Sequence, residues 1–202
     1  MEELRDKHGL TETEYLAQYK PRNYARPGVT ADIAVFRRVD GRLKLLLIKR
    51  GGHPYLGRWA LPGGFVNGDE TVEAAAAREL CEETCLKAGG LKLSGIYSQP
   101  GRDPRMWVIS VAYAVMLPDD EAPVRAADDA REACWFDVEV RDCGDGRVEL
   151  SFAGADEFMA VLCRRPSEEG ADGRFYLGNC GGLAFDHAAI IGEGLLSLGL
   201  LN

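Results

Sequence analysis

The stretch Gly63 to Leu86, GGFVNGDETVEAAAARELCEETCL, decides how this chain is read. From Thr71 onward it is rich in Ala, and no Gly or Pro intervenes before Gly89. The pattern predicts a helix over 71–88 stopped by Gly89-Gly90. On that helix Glu79, Glu82 and Glu83 stand at i, i+3 and i+4, within one arc of about 100°. Three carboxylates therefore gather on one face. With about 5 Å between neighbours and an effective dielectric near 20, each like-charge pair costs about 3 kcal/mol. Such a cluster persists where water solvates it or a cation neutralises it. A merely solvated helix face has no need of the Gly-rich loop that precedes it, Gly63-Gly64 to Gly68, where backbone approaches a ligand closely. Nor does it need Arg78, which is placed to pair with Glu70 and brace that loop. An oxygen-only donor set suits Mg²⁺ or Mn²⁺. Such an ion polarises a phosphoryl oxygen and acidifies a bound water, and a free carboxylate takes the water's proton.

Working outward, Val29 to Arg37 reads as a strand, Asp40-Gly41 as a hairpin turn and Leu43 to Ile48 as the returning strand. Residues 51–63 form a Gly- and Pro-rich loop. Leu91 to Ser98 and Met106 to Leu117 read as strands, and Cys134 to Val138 as a short one. The segment 139–182 is the least regular: a strand over Val148–Phe152, a helix over Ala155–Cys163 and an exposed polar run at Glu168–Gly173. Asp186 is placed to cap a final helix from His187 to Leu198. Residues 1–28 form an N-terminal arm. In it, Thr11 with Glu14 fits a capping box, Tyr15, Leu16 and Tyr19 give one apolar side, and Pro21 ends the helix. Strands mixed with a few helices make residues 29–202 one α/β (α+β) layered domain.

The chain has 202 residues, 46% hydrophobic and 28% charged, an ordinary globular mix. No apolar run approaches the roughly 18 residues of a membrane span. The N-terminus is charged rather than apolar, so no secretory signal is expected. Lys and Arg number 24 against 32 Asp and Glu, net −8. That excludes a broad basic face for long nucleic acid, but not a small phosphorylated ligand approached through a cation. The six cysteines form no CxxC pair and have no zinc spacing. A reducing, cytoplasmic location is the expectation.

The stretch quoted first resembles the box of the Nudix hydrolases, Gly-x5-Glu-x7-Arg-Glu-(apolar)-x-Glu-Glu-x-Gly-(apolar). Here it runs Gly64, Glu70, Arg78, Glu79, Leu80, Glu82, Glu83, Cys85, Leu86, departing only in Cys85 where the family has Gly. The resemblance implies an α/β/α sandwich with a mixed central β-sheet, and hydrolysis of a nucleoside diphosphate linked to another moiety. It implies that Glu79, Glu82 and Glu83 hold the Mg²⁺ or Mn²⁺, with the Gly63 carbonyl completing a site. Glu82 or Glu83 acts on the attacking water, and Glu70 with Arg78 forms the brace. It also implies an acid outside the box as base, for which Glu121, Glu132 and Glu139 are candidates, and a homodimer.

The second informative tract is Ser98 to Arg105, SQPGRDPR. Two guanidinium groups and a carboxylate stand in a loop stiffened by Pro100 and Pro104, and Arg binds phosphate bidentately; taken alone, the tract equally fits a surface turn with an internal Arg–Asp pair. Pro100, Arg102, Asp103 and Arg105, with Gly64, are the candidate substrate contacts. The tract, together with Trp59–Pro62 and Leu183–His187, resembles the ADP-ribose pyrophosphatase branch of the family and its relatives among NAD-linked transcription regulators. ADP-ribose cleaved to AMP and ribose 5-phosphate is the expected reaction. The alternatives are a ligand-sensing module without catalysis, or hydrolysis of a nucleotide sugar, NADH or an oxidised nucleoside triphosphate. The intact acidic box, and a chain that leaves no room for a winged helix, favour the hydrolase. Trp59, Tyr97, Phe36 and Trp107 are candidates to stack on adenine, though core packing suits any single one better. His53 and His187 are read as an exposed loop residue and a structural residue.

Overall fold

The computed structural model describes residues 3–118, 130–165 and 175–201. The first hairpin joins β1 (Gly28–Val39) to β2 (Arg42–Arg50). Its turn, Asp40-Gly41, has φ of 50° and 79°, the two positive values that a two-residue hairpin twisted with its strands requires. β1 pairs on its other side in parallel with β6 (Val108–Met116), and β5 (Lys92–Tyr97) adds antiparallel to β6. β2 pairs with β7 (Ala130–Asp142), and the sheet continues through β8 (Arg147–Ala153), β9 (Glu157–Arg164) and β10 (Phe175–Asn179). The order is β10-β9-β8-β7-β2-β1-β6-β5, with β3 (Trp59–Ala60) on β2 and β4 (Gly63–Phe65) on β1. One parallel pair among antiparallel ones makes the sheet mixed.

Helices cover both faces of the central strands, which is why β1 is buried without interruption from Thr30 to Phe36. Its side chains alternate. Ile33 and Val35, with Leu46 of β2, pack beneath α2 (Val72–Thr84) against Leu80 and Leu86. Ala34 and Phe36, with Leu45 and Leu47, face α3 (His187–Ser197) and its Ile190, Ile191 and Leu195. At about 1.5–3 kcal/mol for each fully buried aliphatic or Phe side chain, these two layers fix where the loops at the sheet's end converge.

Several expectations need correction. The box helix ends at Thr84, not at Gly89-Gly90. Cys85 adopts the left-handed cap conformation at φ 61°, its N–H bonding the Cys81 carbonyl at 2.9 Å. Residues 155–163 are not helical. Ala160 and Leu162 are buried while Glu157 and Met159 are exposed, a period of two that makes this β9. The strand at Cys134–Val138 is the middle of the longer β7, because β7 pairs first with β2 and then with β8. The described parts of 139–182 thereby extend the sheet, and Val148, Leu150, Phe152, Leu162 and Phe175 join the core beneath α3. Asp186 precedes α3 without a side-chain capping bond, because its carboxylate is held by Arg102. In the arm, α1 (Glu12–Gln18) has its capping box, and Tyr15, Leu16 and Tyr19 are exposed. Glu168–Gly173 and Glu121 lie outside the described residues. Among the described residues no helix is long and apolar enough to cross a membrane.

Candidate active site

A cleft of about 770 Å³ opens where β1, β2 and β4 meet the exposed side of α2, the loop after β5 and the approach to α3. Two glycines set its floor. A Cβ on Gly63, whose φ is 156°, would stand 2.4 Å from the Ala31 carbonyl oxygen and 2.7 Å from Asp32 Oδ1. A Cβ on Gly64 would stand 2.4 Å from Glu79 Oε1. Both residues must be glycine for the loop to lie this close to the acids.

Arg78 organises the helical wall. Its guanidinium grips Glu70 bidentately, Nε to Oε2 at 3.0 Å and Nη2 to Oε1 at 2.7 Å, and also donates to the Phe65 carbonyl at 3.1 Å. The same group donates to Glu79 at 2.7 Å and Glu82 at 2.9 Å. Bonded to Arg78 above all, Glu70 is held far below the ordinary carboxylate range, at about 2. Glu83 points the other way. It is buried, and one carboxylate oxygen accepts the Gly63 N–H at 2.9 Å. Burial first, then the nearby carboxylates of Glu79 and Asp32, push Glu83 up to about 8. Burial likewise raises Glu79. The wall is thus short of positive charge at Glu83. As placed, no three acidic, His or Cys side chains among the described residues converge on one ion, because Glu79 and Glu82 are turned onto Arg78.

The opposite wall carries arginines. Arg102, its side chain only 5% exposed, is clamped on Asp186 at 2.6 and 2.9 Å. Arg105 is paired to the buried Asp103 at 2.7 Å, with its guanidinium 5.3 Å from the Phe65 ring. Arg50 differs. Its Nε bonds the Pro54 carbonyl at 2.8 Å, it lies 5.1 Å from the Phe185 ring, and among the described residues no carboxylate is within ion-pair range. Burial, then repulsion from Arg105, lowers its pKa.

Of the residues expected from sequence, the cleft gathers Gly63, Gly64, Arg78, Glu79, Glu82, Glu83, Arg102, Asp103 and Arg105. Glu70 stands behind Arg78. Pro100 is exposed and does not line the cleft. Glu132 pairs with Lys49, and Glu139 lines a separate groove. Phe36, Trp59 and Tyr97 are core residues, and Trp107 is exposed outside the cleft. His53 and His187 both line it. Sequence reading missed Asp32 and Arg50, and named Phe185 only within the Leu183–His187 tract. Asp32 carried a signal, a lone carboxylate inside the buried strand TADIAVF. Arg50 carried none that distinguishes it from other strand-end residues.

The layered sheet and the carboxylate helix on its cleft define a hydrolase fold of the Nudix type. The NUDIX domain family model matches residues 26–145, and the chain belongs to that family. It is 44% identical over 119 residues to an ADP-ribose pyrophosphatase of Methanocaldococcus jannaschii, covering 59% of this chain and 67% of that enzyme. It is 38% identical to the ADPR responsive transcriptional repressor NtrR of Acinetobacter baylyi, over 53% of this chain and only 44% of the repressor. In structure it resembles a MutT/nudix family protein from Enterococcus faecalis, with TM-score 0.73, 32% identity, and coverage of 94% of this chain and 70% of that one. It also resembles the NUDIX domain of Shewanella oneidensis NrtR in complex with ADP ribose, with TM-score 0.65, 26% identity, and coverage of 94% and 99%. With its box intact but for Cys85, the chain is of the pyrophosphohydrolase type.

Proposed function

We propose that the cleft hydrolyses the pyrophosphate of a nucleoside diphosphate joined to a second moiety, with ADP-ribose cleaved to AMP and ribose 5-phosphate. The observation that carries this reading is the carboxylate set Glu79, Glu82 and Glu83 facing a cleft whose other wall holds Arg50, which has no carboxylate partner among the described residues. A divalent cation fits. The donors are oxygen only, Glu83 is buried with a single N–H for company, and Gly64 leaves the space that a Cβ would take from Glu79. Bound there, Mg²⁺ or Mn²⁺ neutralises pyrophosphate charge and polarises a phosphoryl oxygen.

The chain's own residues do the rest. Glu79, Glu82, Glu83 and the Gly63 carbonyl would hold the cation. Glu82 or Glu83 is also placed to act on the attacking water. Glu70 and Arg78 keep the loop on the helix. Arg50 and Arg105 meet the phosphates. Asp103 orients Arg105, and Arg102 anchors the loop to Asp186. Chromatography of products from ADP-ribose incubated with Mg²⁺ or Mn²⁺ tests the reading. AMP and ribose 5-phosphate are expected, and cleavage of another pyrophosphate with ADP-ribose untouched overturns the substrate assignment. The likeness to an ADP-ribose-bound domain and to a repressor supports a second reading, a sensor. Tight ADP-ribose binding with no turnover under the same conditions selects it.

A further inference from the structure

The base outside the acidic box has no occupant among Glu132 and Glu139, and the structure brings a different carboxylate to the cleft floor. Asp32 is 6% exposed and His187 4% exposed, and both line the cleft. His187 Nδ1 accepts the Leu61 N–H at 2.9 Å, which fixes the ring proton of the neutral imidazole on Nε2. Burial, together with the position at the start of α3, disfavours the imidazolium. Nε2–H is therefore a standing donor, and it has no hydrogen-bond partner among the described residues. It faces Asp32 Oδ1 at 3.8 Å, too far for a direct bond. Asp32 itself is held from behind, its Oδ2 accepting the hydroxyl of the buried Ser110. Its Oδ1 looks past Gly63, whose N–H binds Glu83 on the other side.

A donor and an acceptor 3.8 Å apart leave a seat for one oxygen about 2.8–3.0 Å from each. That oxygen must accept one hydrogen bond and donate another, which a water molecule does. We propose that Asp32 and His187 hold the water that attacks the pyrophosphate, with His187 orienting it and Asp32 receiving its proton. The water oxygen bonds to phosphorus. The bridging P–O bond breaks and its electron pair leaves with the departing phosphate, and the water proton passes to Asp32 Oδ1. This inference rests on the hydrolase reading above, and its test separates the two.

The first arm needs no turnover. A crystal structure of the full chain resolving ordered waters shows an oxygen within hydrogen-bond distance of both Nε2 and Oδ1. An empty gap, or closure to a direct bond, overturns the proposal. The second arm uses the two amides that divide the histidine's roles. His187→Asn keeps an acceptor for the Leu61 N–H and loses the donor to the cleft. His187→Gln keeps a donor near the Nε2 position and loses the Leu61 bond. On whichever pyrophosphate the wild type cleaves, kcat of His187→Asn falls about tenfold or more with Tm held, while His187→Gln keeps more activity at a lower Tm. Activity that tracks Tm in both variants makes His187 structural only and overturns the role. Asp32→Asn loses about 100-fold or more in kcat with KM little changed. Near-normal kcat there, with a collapse in Glu121→Gln instead, moves the base to Glu121 and also overturns it. A wild type that cleaves no pyrophosphate removes the proposed function, and the oxygen seat is then decided by the crystal structure alone.

Discussion

The two walls of the cleft are built in opposite ways. The acidic wall comes from one short stretch, where helix periodicity alone sets Arg78, Glu79, Glu82 and Glu83 beside each other. The facing wall draws Asp32 from β1, Arg50 from β2, Arg102–Arg105 from the loop after β5 and Phe185–His187 from the approach to α3. Those residues meet only because β1 lies between β2 and β6 and because α3 packs beneath the same strands. The electrostatics differ as well. On the helical wall one cation, Arg78, serves three carboxylates and leaves Glu83 to burial. On the other, each of Arg102 and Arg105 has its own acid, and among the described residues Arg50 has none. Changes on the first wall are therefore expected to alter chemistry. Changes to the arginines of the second divide between binding and folding according to which one is touched.

The largest effect expected is at Glu83. Glu83→Gln keeps the shape and the Gly63 contact and loses a carboxylate facing the reacting centre, so kcat drops by about 10² to 10⁴ with the circular dichroism melt unchanged. Turnover within a few-fold of wild type breaks the assignment of chemistry to this wall. Next comes Arg102→Ala. It strands the Asp186 carboxylate, so a loss of about 3–5 kcal/mol in urea denaturation is expected. If the fold instead stays as stable while KM rises, Arg102 is a ligand contact after all. Arg50→Ala sharpens the contrast, because among the described residues it breaks no ion pair, only the bond to the Pro54 carbonyl. About 1.5–3 kcal/mol of substrate binding is lost, read as KM rising with kcat and Tm nearly constant.

The brace gives a pH prediction. Glu70 sits at about 2 in the folded protein against an ordinary 4.5, so its bond to Arg78 stabilises the fold fully above pH 4.5. That contribution declines as pH falls from there through 2. The Tm gap between wild type and Glu70→Gln is accordingly constant near neutrality and closes across that acid window. A gap that widens in acid contradicts the direction of the shift.

The same contrast explains how much could be read beforehand. The helix with its acids, the Arg78–Glu70 brace and the first hairpin were legible because each depends on residues a few positions apart. The loop 98–105 is legible as charge and, between Asp103 and Arg105, as a local Arg–Asp pair. Nothing near Arg102 in sequence says that Asp186 will neutralise it. β9 was misread because its apolar residues suit either period, and only pairing with β8 selects the strand. Of the cleft residues missed, Asp32 bears a visible mark, a charge in an apolar strand, and such a charge is expensive to bury without a purpose.

The smallest effect concerns the one place where the box departs from its pattern. Cys85 takes a left-handed conformation at φ 61° that ends α2, a position where a Cβ crowds the backbone and where helices ordinarily place glycine. Its side chain is exposed, so no buried surface is lost by removing it. Glycine also adds freedom to the unfolded chain, which offsets part of the gain. Cys85→Gly is therefore expected to stabilise by about 0.5–1 kcal/mol, a Tm rise of roughly 1–4 °C for a chain of this size. Cys85→Ala, which keeps the Cβ, gives no rise. Because the residue lies beyond Glu83 and outside the cleft, kcat and KM stay at wild-type values in both. A gain in stability that came with a change in kcat would mean that the helix end reaches the acids after all, and that even the local wall depends on more than its own periodicity.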